Sequence, residues 1–211
     1  ELDRRVALKL LNPAGRPRDT SRLVREAQAL ARLSHPAIAS VFDVGVCEYG
    51  AFVVMERVVG RSLHELLGGR ARRWSALRPL FLEIGDALAA AHDANLVHRD
   101  IKPANIMIDQ RGRPRIIDFG LAHDPRESGS TIAGTPSYMA PEALEGAPID
   151  ARADVYSYCV VLFEALTGTR PFVGDTLAAQ LASKRYARPW ERLSRRLPSR
   201  LRRALERGLD P

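Results

Sequence analysis

Lysine is nearly missing from this chain. Of 32 basic residues only Lys9, Lys102 and Lys184 are lysine, so wherever a bare positive charge suffices the sequence supplies arginine. A position that keeps lysine against this background points to a need for a compact ammonium on a flexible stem rather than a planar guanidinium. Cysteine is as scarce. Cys47 and Cys159 stand alone, without CxxC spacing, which argues against a disulfide framework or a cysteine metal site and reads as two small core residues of a cytosolic protein. No apolar run approaches bilayer length; the best, "CVVLFEAL", is short and contains Glu164. No signal-peptide pattern, internal repeat or low-complexity segment is visible, and the expectation is a cytoplasmic globular domain.

What is present suits one large domain or two small lobes with a real core: 211 residues, 45% hydrophobic and 27% charged. The net charge of +7 gathers towards the C-terminus in "SKRYARPWERLSRRLPSRLRRALERGLDP". There the arginines alternate with Leu201, Leu205 and Leu209 at helical spacing. That is the pattern of a solvated helix face, and nucleic acid is not expected as a partner.

Along the chain, "RRVALKLL" alternates as a strand carrying Lys9, and residues 21–33 repeat apolar positions at helical steps with Glu26 beside the apolar face. "HPAIASVFDVGVCEYGAFVVMERV" reads as two strands joined by a turn near residues 48–50. Helices are predicted over 62–67 and from about residue 77 to 94, where Asn95 ends the helix in a left-handed conformation. Two short strands follow, "NIMID" and "PRIIDFG". Then comes a Gly-, Ser- and Thr-rich span over 121–139 without periodicity, of a length that in a compact domain is usually functional or disordered. "DVYSYCVVLFEALTG" is a mostly apolar helix ending at Gly168, with helices to the end. Strands first and helices afterwards make an α+β chain with two lobes and a boundary near residues 58–62.

The stretch "LVHRDIKPANIMID", residues 96–109, sets His98, Arg99, Asp100, Lys102 and Asn105 among Leu, Val, Ile and Met. Charges are costly to bury unless paired, hydrogen-bonded or metal-bound, so this is either a solvated loop or a site that handles charge. With Asp118 further on, Asp100 and Asn105 form an oxygen-rich set on loops flanking the two short strands. A hard cation such as Mg²⁺ takes one or two carboxylates plus substrate phosphate oxygens, which leaves one carboxylate over to act as a base.

These residues carry a resemblance. "VALK", "HRDIKPAN", "IIDFG" and "GTPSYMAPE" are similar, in order and spacing, to the signature set of eukaryotic-type (Hanks-type) serine/threonine protein kinases, most of all the bacterial members, and the likeness covers essentially the whole chain. It implies an α+β, two-lobed protein-kinase-like fold. Residues 1–58 would be an incomplete small β-rich lobe lacking its first strands and glycine-rich loop, and residues 59–211 a larger helical lobe. It implies transfer of the γ-phosphoryl group of ATP to Ser and Thr hydroxyls of proteins, autophosphorylation included. The cofactors would be ATP and Mg²⁺, and the partners protein substrates and a second copy for trans-autophosphorylation.

Carried over by position, the resemblance implies that Asp100 accepts the substrate hydroxyl's proton, Lys102 neutralises charge on the transferred group, and Asn105 and Asp118 hold Mg²⁺. Lys9 would bind the α/β-phosphates and pair with Glu26. Glu56 and Val58, after Met55, fall where the family's hinge offers backbone groups to adenine, and Ala7 and Met107 would sandwich the purine. Leu30, Val41, His98 and Phe119, anchored by Asp154, match stacked residues that align the lobes; without the likeness most would be plain core. Thr135 would hydrogen-bond Asp100 and Lys102. Arg99 has no obligatory partner in the local sequence; it would take a phosphate placed on Ser128, Ser130 or Thr131, the alternative being a pair with a nearby carboxylate.

Two of the three lysines thus fall where this chemistry needs lysine. Small-molecule relatives such as aminoglycoside phosphotransferases share the Asp…Asn plus Asp arrangement but lack the "GTPSYMAPE" segment that docks a polypeptide. No G-x-G-x-x-G precedes "VALK", and "LERGLDP" stops where the family usually has an Arg for Glu142. The expectation is a fragment of a longer protein. If the chain is whole, the alternative is a catalytically impaired pseudokinase that serves as a scaffold.

Overall fold

A computed structural model of the protein describes residues 5–11, 20–48, 50–119 and 136–210. The chain begins with strand β1 (Val6–Leu11), helix α1 (Thr20–Arg32), and strands β2 (Val41–Cys47) and β3 (Gly50–Glu56). The three strands form an antiparallel sheet in the order β1-β3-β2. Register pairs Ala7 with Met55 and Lys9 with Val53, and a bulge lies between Val41 and Asp43. Period-two alternation decides the two faces. Ala51, Val53 and Met55 point inward and meet Ala27 and Leu30 of α1 in the core, while Val6, Leu8, Leu10 and Val46 lie on exposed positions.

Strand β4 (Gly60–Ser62) leaves the small sheet and pairs instead with β5 (Ile106–Asp109), which pairs with β6 (Pro114–Ile116), all antiparallel. Gly60 is required there: a Cβ would stand 2.0 Å from the Ile108 carbonyl oxygen. The two sheets are stitched by a parallel bridge between Ile38 and Ile116, with Ala39 N donating to Ile116 O at 2.9 Å and Ile116 N to Ala37 O at 2.7 Å.

Helix α2 runs over Leu63–Leu67, one residue shorter than the 62–67 expected, because Ser62 is its N-cap and makes a capping box with Glu65. Helix α3 (Trp74–Asp93) starts a turn before the expected residue 77. Its first turn is mostly exposed, so no apolar period announced it. It ends as read, with Asn95 at φ 58°. Helix α4 (Pro141–Leu144) is followed by α5 (Ala151–Thr167), α6 (Leu177–Tyr186) and α7 (Ser199–Gly208). Helix α5 is the axis of the large lobe: ten of its side chains are buried, including Val160, Val161 and Phe163, in one cluster with Phe81, Ile84 and Ala91 of α3. Asp150 caps its start and Gly168, at φ 75°, its end.

Candidate active site

The loop over residues 98–105 is built around Asp154 in the first turn of α5. This carboxylate is 1% exposed and accepts from His98 N at 2.7 Å, Arg99 N at 2.8 Å and His92 Nε2 at 2.8 Å. Two consecutive N–H groups can converge on one side chain because Arg99 takes φ 68°, a conformation that costs an ordinary residue about 1 kcal/mol and persists only where its surroundings enforce it. His98 is fully buried. Its Nε2 lies 3.0 Å from the Ile117 carbonyl and its Nδ1 receives the Asp100 N–H at 3.2 Å. A carbonyl only accepts, so Nε2 carries the proton and the ring is neutral. Burial pushes its pKa down in the same sense, against the opposing pull of Asp154. The ring packs on Phe119 with centroids 4.6 Å apart.

The other end of the loop presents Asp100. Its Oδ2 accepts from Lys102 Nζ at 2.7 Å and from Asn105 Nδ2 at 2.9 Å, and Nδ2 also reaches the Asp100 carbonyl at 2.8 Å. Oδ1 takes no hydrogen bond among the described residues, so one carboxylate oxygen remains open to a substrate hydroxyl. With Nδ2 tied down twice, Asn105 turns its own amide oxygen away from Asp100. Asp118 sits at φ 60° and its Oδ1 accepts from Lys9 Nζ at 2.9 Å. Among the described residues no three or more His, Cys, Asp and Glu form a metal cluster. The Asn105 amide oxygen and the Asp118 carboxylate suit a cation that takes few protein oxygens and completes its shell with phosphate and water.

At the small-lobe side the arrangement differs from the one expected. Lys9 bonds to Asp118 and not to Glu26, whose Oε1 instead lies 3.4 Å from Arg99 Nη1. Arg99 therefore has a carboxylate partner, the alternative to a phosphate. The reason is physical: ion pairs that solvent still reaches differ by fractions of a kcal/mol, so sequence spacing does not choose among them. Ala7 and Lys9 occupy the half-buried positions of β1 and Met107 a half-buried one of β5, while Val58 follows β3. The Glu56 side chain is engaged by Arg115 and by Ser40 N, and its own N–H by Ser40 O at 2.8 Å. That strut between the sheets had no sequence signal. Leu30 and Phe119 line a small cavity together with Glu26 and Arg99, and Val41 belongs to the same core. Ser128, Ser130, Thr131 and Thr135 lie outside the described residues.

Residues 136–140 form a short platform before α4, and the large lobe bolts it down. Tyr138 OH donates to Glu164 at 2.7 Å, Ser157 Oγ donates to the Tyr138 carbonyl at 2.8 Å, Arg170 donates to Ser137 Oγ, and Lys184 Nζ donates to the Ser137 carbonyl at 3.1 Å. None of these four anchors was singled out as a site residue from sequence, although Lys184 had stood out as one of three lysines.

The sequence profile of the protein kinase domain matches residues 1–203. A probable serine/threonine-protein kinase of Streptomyces coelicolor is 42% identical over 192 residues, covering 84% of this chain and 28% of that protein. The serine/threonine-protein kinase PknL of Mycobacterium tuberculosis is 41% identical over 186 residues, 83% of this chain and 46% of its own length. The serine/threonine-protein kinase pkn3 of Myxococcus xanthus is 36% identical over 225 residues, 98% of this chain and 41% of its own. This chain thus spans less than half the length of each. With the two-lobed architecture and the ordered motifs already described, the match identifies the chain as a member of the protein kinase domain family.

Proposed function

We propose that the protein transfers the γ-phosphoryl group of ATP to Ser and Thr hydroxyls of other proteins and of a second copy of itself. The observation that carries this is the Asp100 carboxylate, with Oδ2 held by Lys102 and Asn105 and Oδ1 open. Held this way, Asp100 orients a hydroxyl and takes its proton as the oxygen bonds to phosphorus. Lys102 compensates negative charge next to it, and Lys9 supplies an ammonium to the phosphates when it leaves Asp118. Asn105 and Asp118 would hold Mg²⁺, which supplies charge compensation on the phosphates. Ala7, Met107 and the backbone at Glu56 and Val58 would hold adenine. Residues 1–58 serve as the small lobe and 59–211 as the large one.

A phosphate on Thr131, Ser128 or Ser130 would compete with Glu26 for Arg99, and Thr135 would bond Asp100 and Lys102. Among the described residues no helix is long and apolar enough to cross a membrane; the kinase domain is assigned to the cytoplasm, and nucleic acid has no part in the reading. The test is phosphate transfer from ATP·Mg²⁺ to a basic protein by the full-length protein. Transfer by the parent and its loss in Asp100→Asn is the expected outcome. A parent that binds partners but transfers no phosphate would replace this reading with a scaffold.

A further inference from the structure

Two of the three lysines belong to the catalytic cluster; the third does not. Lys184, on α6, is fully buried, and no ion pair among the described residues includes it. Its Nζ donates to the Ser137 carbonyl at 3.1 Å and lies 5.3 Å from the Tyr156 ring centroid and 5.0 Å from that of Phe172. Those two rings are nearly parallel, 9° apart in plane, with centroids at 6.0 Å. An ammonium buried without a carboxylate is destabilising, and a Met or Leu of similar volume would fill the space at lower cost. Arginine, otherwise the default cation of this chain, is also unsuited. Its five donors in a rigid fork would find one carbonyl and two ring faces, whereas an ammonium offers one donor to the carbonyl and leaves its remaining charge over the rings.

What the ammonium reaches is the platform over residues 136–140. Each backbone carbonyl and polar side chain of Ser137 and Tyr138 is taken by a group from α5, α6 or the segment between them. Ser157 and Glu164 come from α5 and Arg170 from the segment after it, so Lys184 is the α6 member of the set. We propose that Lys184 is a positioning residue for protein substrates: its ammonium, set between Tyr156 and Phe172, fixes the Ser137 carbonyl and so the shape of the platform on which the acceptor peptide lies. This rests on the kinase reading above and adds to it a determinant of peptide binding remote from the phosphates. Burial also lowers the Lys184 pKa to about 8, so the carbonyl and ring contacts only partly offset the cost of desolvating the charge.

The test is Lys184→Met in the full-length protein. The expected result is a KM for an acceptor peptide raised about tenfold, the worth of one hydrogen bond from a charged donor, with kcat and the KM for ATP close to the parent's and the melting temperature not lowered. Lys184→Arg should not restore the peptide KM. In parallel, hydrogen exchange should speed up about tenfold at the amides of residues 137–140 and stay unchanged in the middle of α5. Peptide KM and amide protection equal to the parent's would overturn the proposal. So would a parallel rise in both KM values with a lowered melting temperature, which marks a merely structural residue. Should the Met variant not accumulate as folded protein, Lys184→Leu takes its place in both arms with the same outcomes. A parent without phosphotransfer would defeat the kinase reading, while the exchange arm alone would still decide the role of Lys184.

Discussion

The two sides of the site are held by different kinds of bond. On the large-lobe side, Asp154 is 1% exposed and grips two successive backbone N–H groups and an imidazole. On the small-lobe side, the contacts include the ion pairs of Lys9 with Asp118 and Arg99 with Glu26, whose side chains are 21% to 36% exposed. Buried, multiply bonded carboxylates are costly to disturb, while an ion pair that solvent still reaches is worth about 1 kcal/mol or less. The loop that carries Asp100 is therefore anchored in the buried core, whereas Lys9 and Glu26 meet their partners through half-buried ion pairs.

Removing the base itself should have the largest effect. Asp100→Asn is expected to lower phosphotransfer by roughly 10²–10⁴, read in steady-state kinetics of the full-length protein, with nucleotide affinity nearly kept. Asp154→Ala should come next, because it strands two buried N–H donors that are worth about 1–3 kcal/mol each. The denaturant midpoint should fall accordingly, and an unchanged midpoint would erase the distinction between the two sides.

The pH dependence of stability separates them further. Lys184 has a folded pKa near 8 against an ordinary value of 10.5, so between those values the unfolded chain binds more protons. Its burial penalty is fully present below pH 8 and is relieved as pH rises towards 10.5, by at most about 3 kcal/mol. Buried Tyr138, Tyr156 and Tyr158, all shifted upward, and Cys159, pushed up to about 12, act in the opposite sense at the alkaline end of this range and beyond it. The informative measurement is thus the parent minus Lys184→Met, in which those groups cancel. The difference should move in the parent's favour between pH 7.5 and 10.5.

Smaller effects belong to the other side. Glu26→Gln should alter stability by less than about 1 kcal/mol and should weaken ATP binding only if Glu26 leaves Arg99 for Lys9, a shift visible in the nucleotide KM. The smallest effect is a labelling contrast: a thiol reagent should modify exposed Cys47 in the native protein, and buried Cys159 only after unfolding.

What the sequence revealed follows the same division. The loop from His98 to Asn105 was legible because its chemistry is contiguous and its apolar brackets mark two strands. The half-buried ion pairs of Lys9 and Glu26 were not, since spacing carries no information on energies that small. The platform's anchors were hidden for another reason. Ser157, Glu164, Arg170 and Lys184 come from different elements and meet only in three dimensions. Lys184 alone left a trace, through the rarity of its residue type. The start of α3 was lost because its first turn faces outward, with no apolar period to mark it.

The grip of Asp154 has a kinetic consequence. The carboxylate belongs to the most deeply packed helix, so the turn at Arg99 cannot open by local fraying; it is released only when α5 itself comes apart. Heat should therefore disrupt the loop over residues 98–105 no earlier than it unfolds the large lobe, whatever the small sheet does on the way.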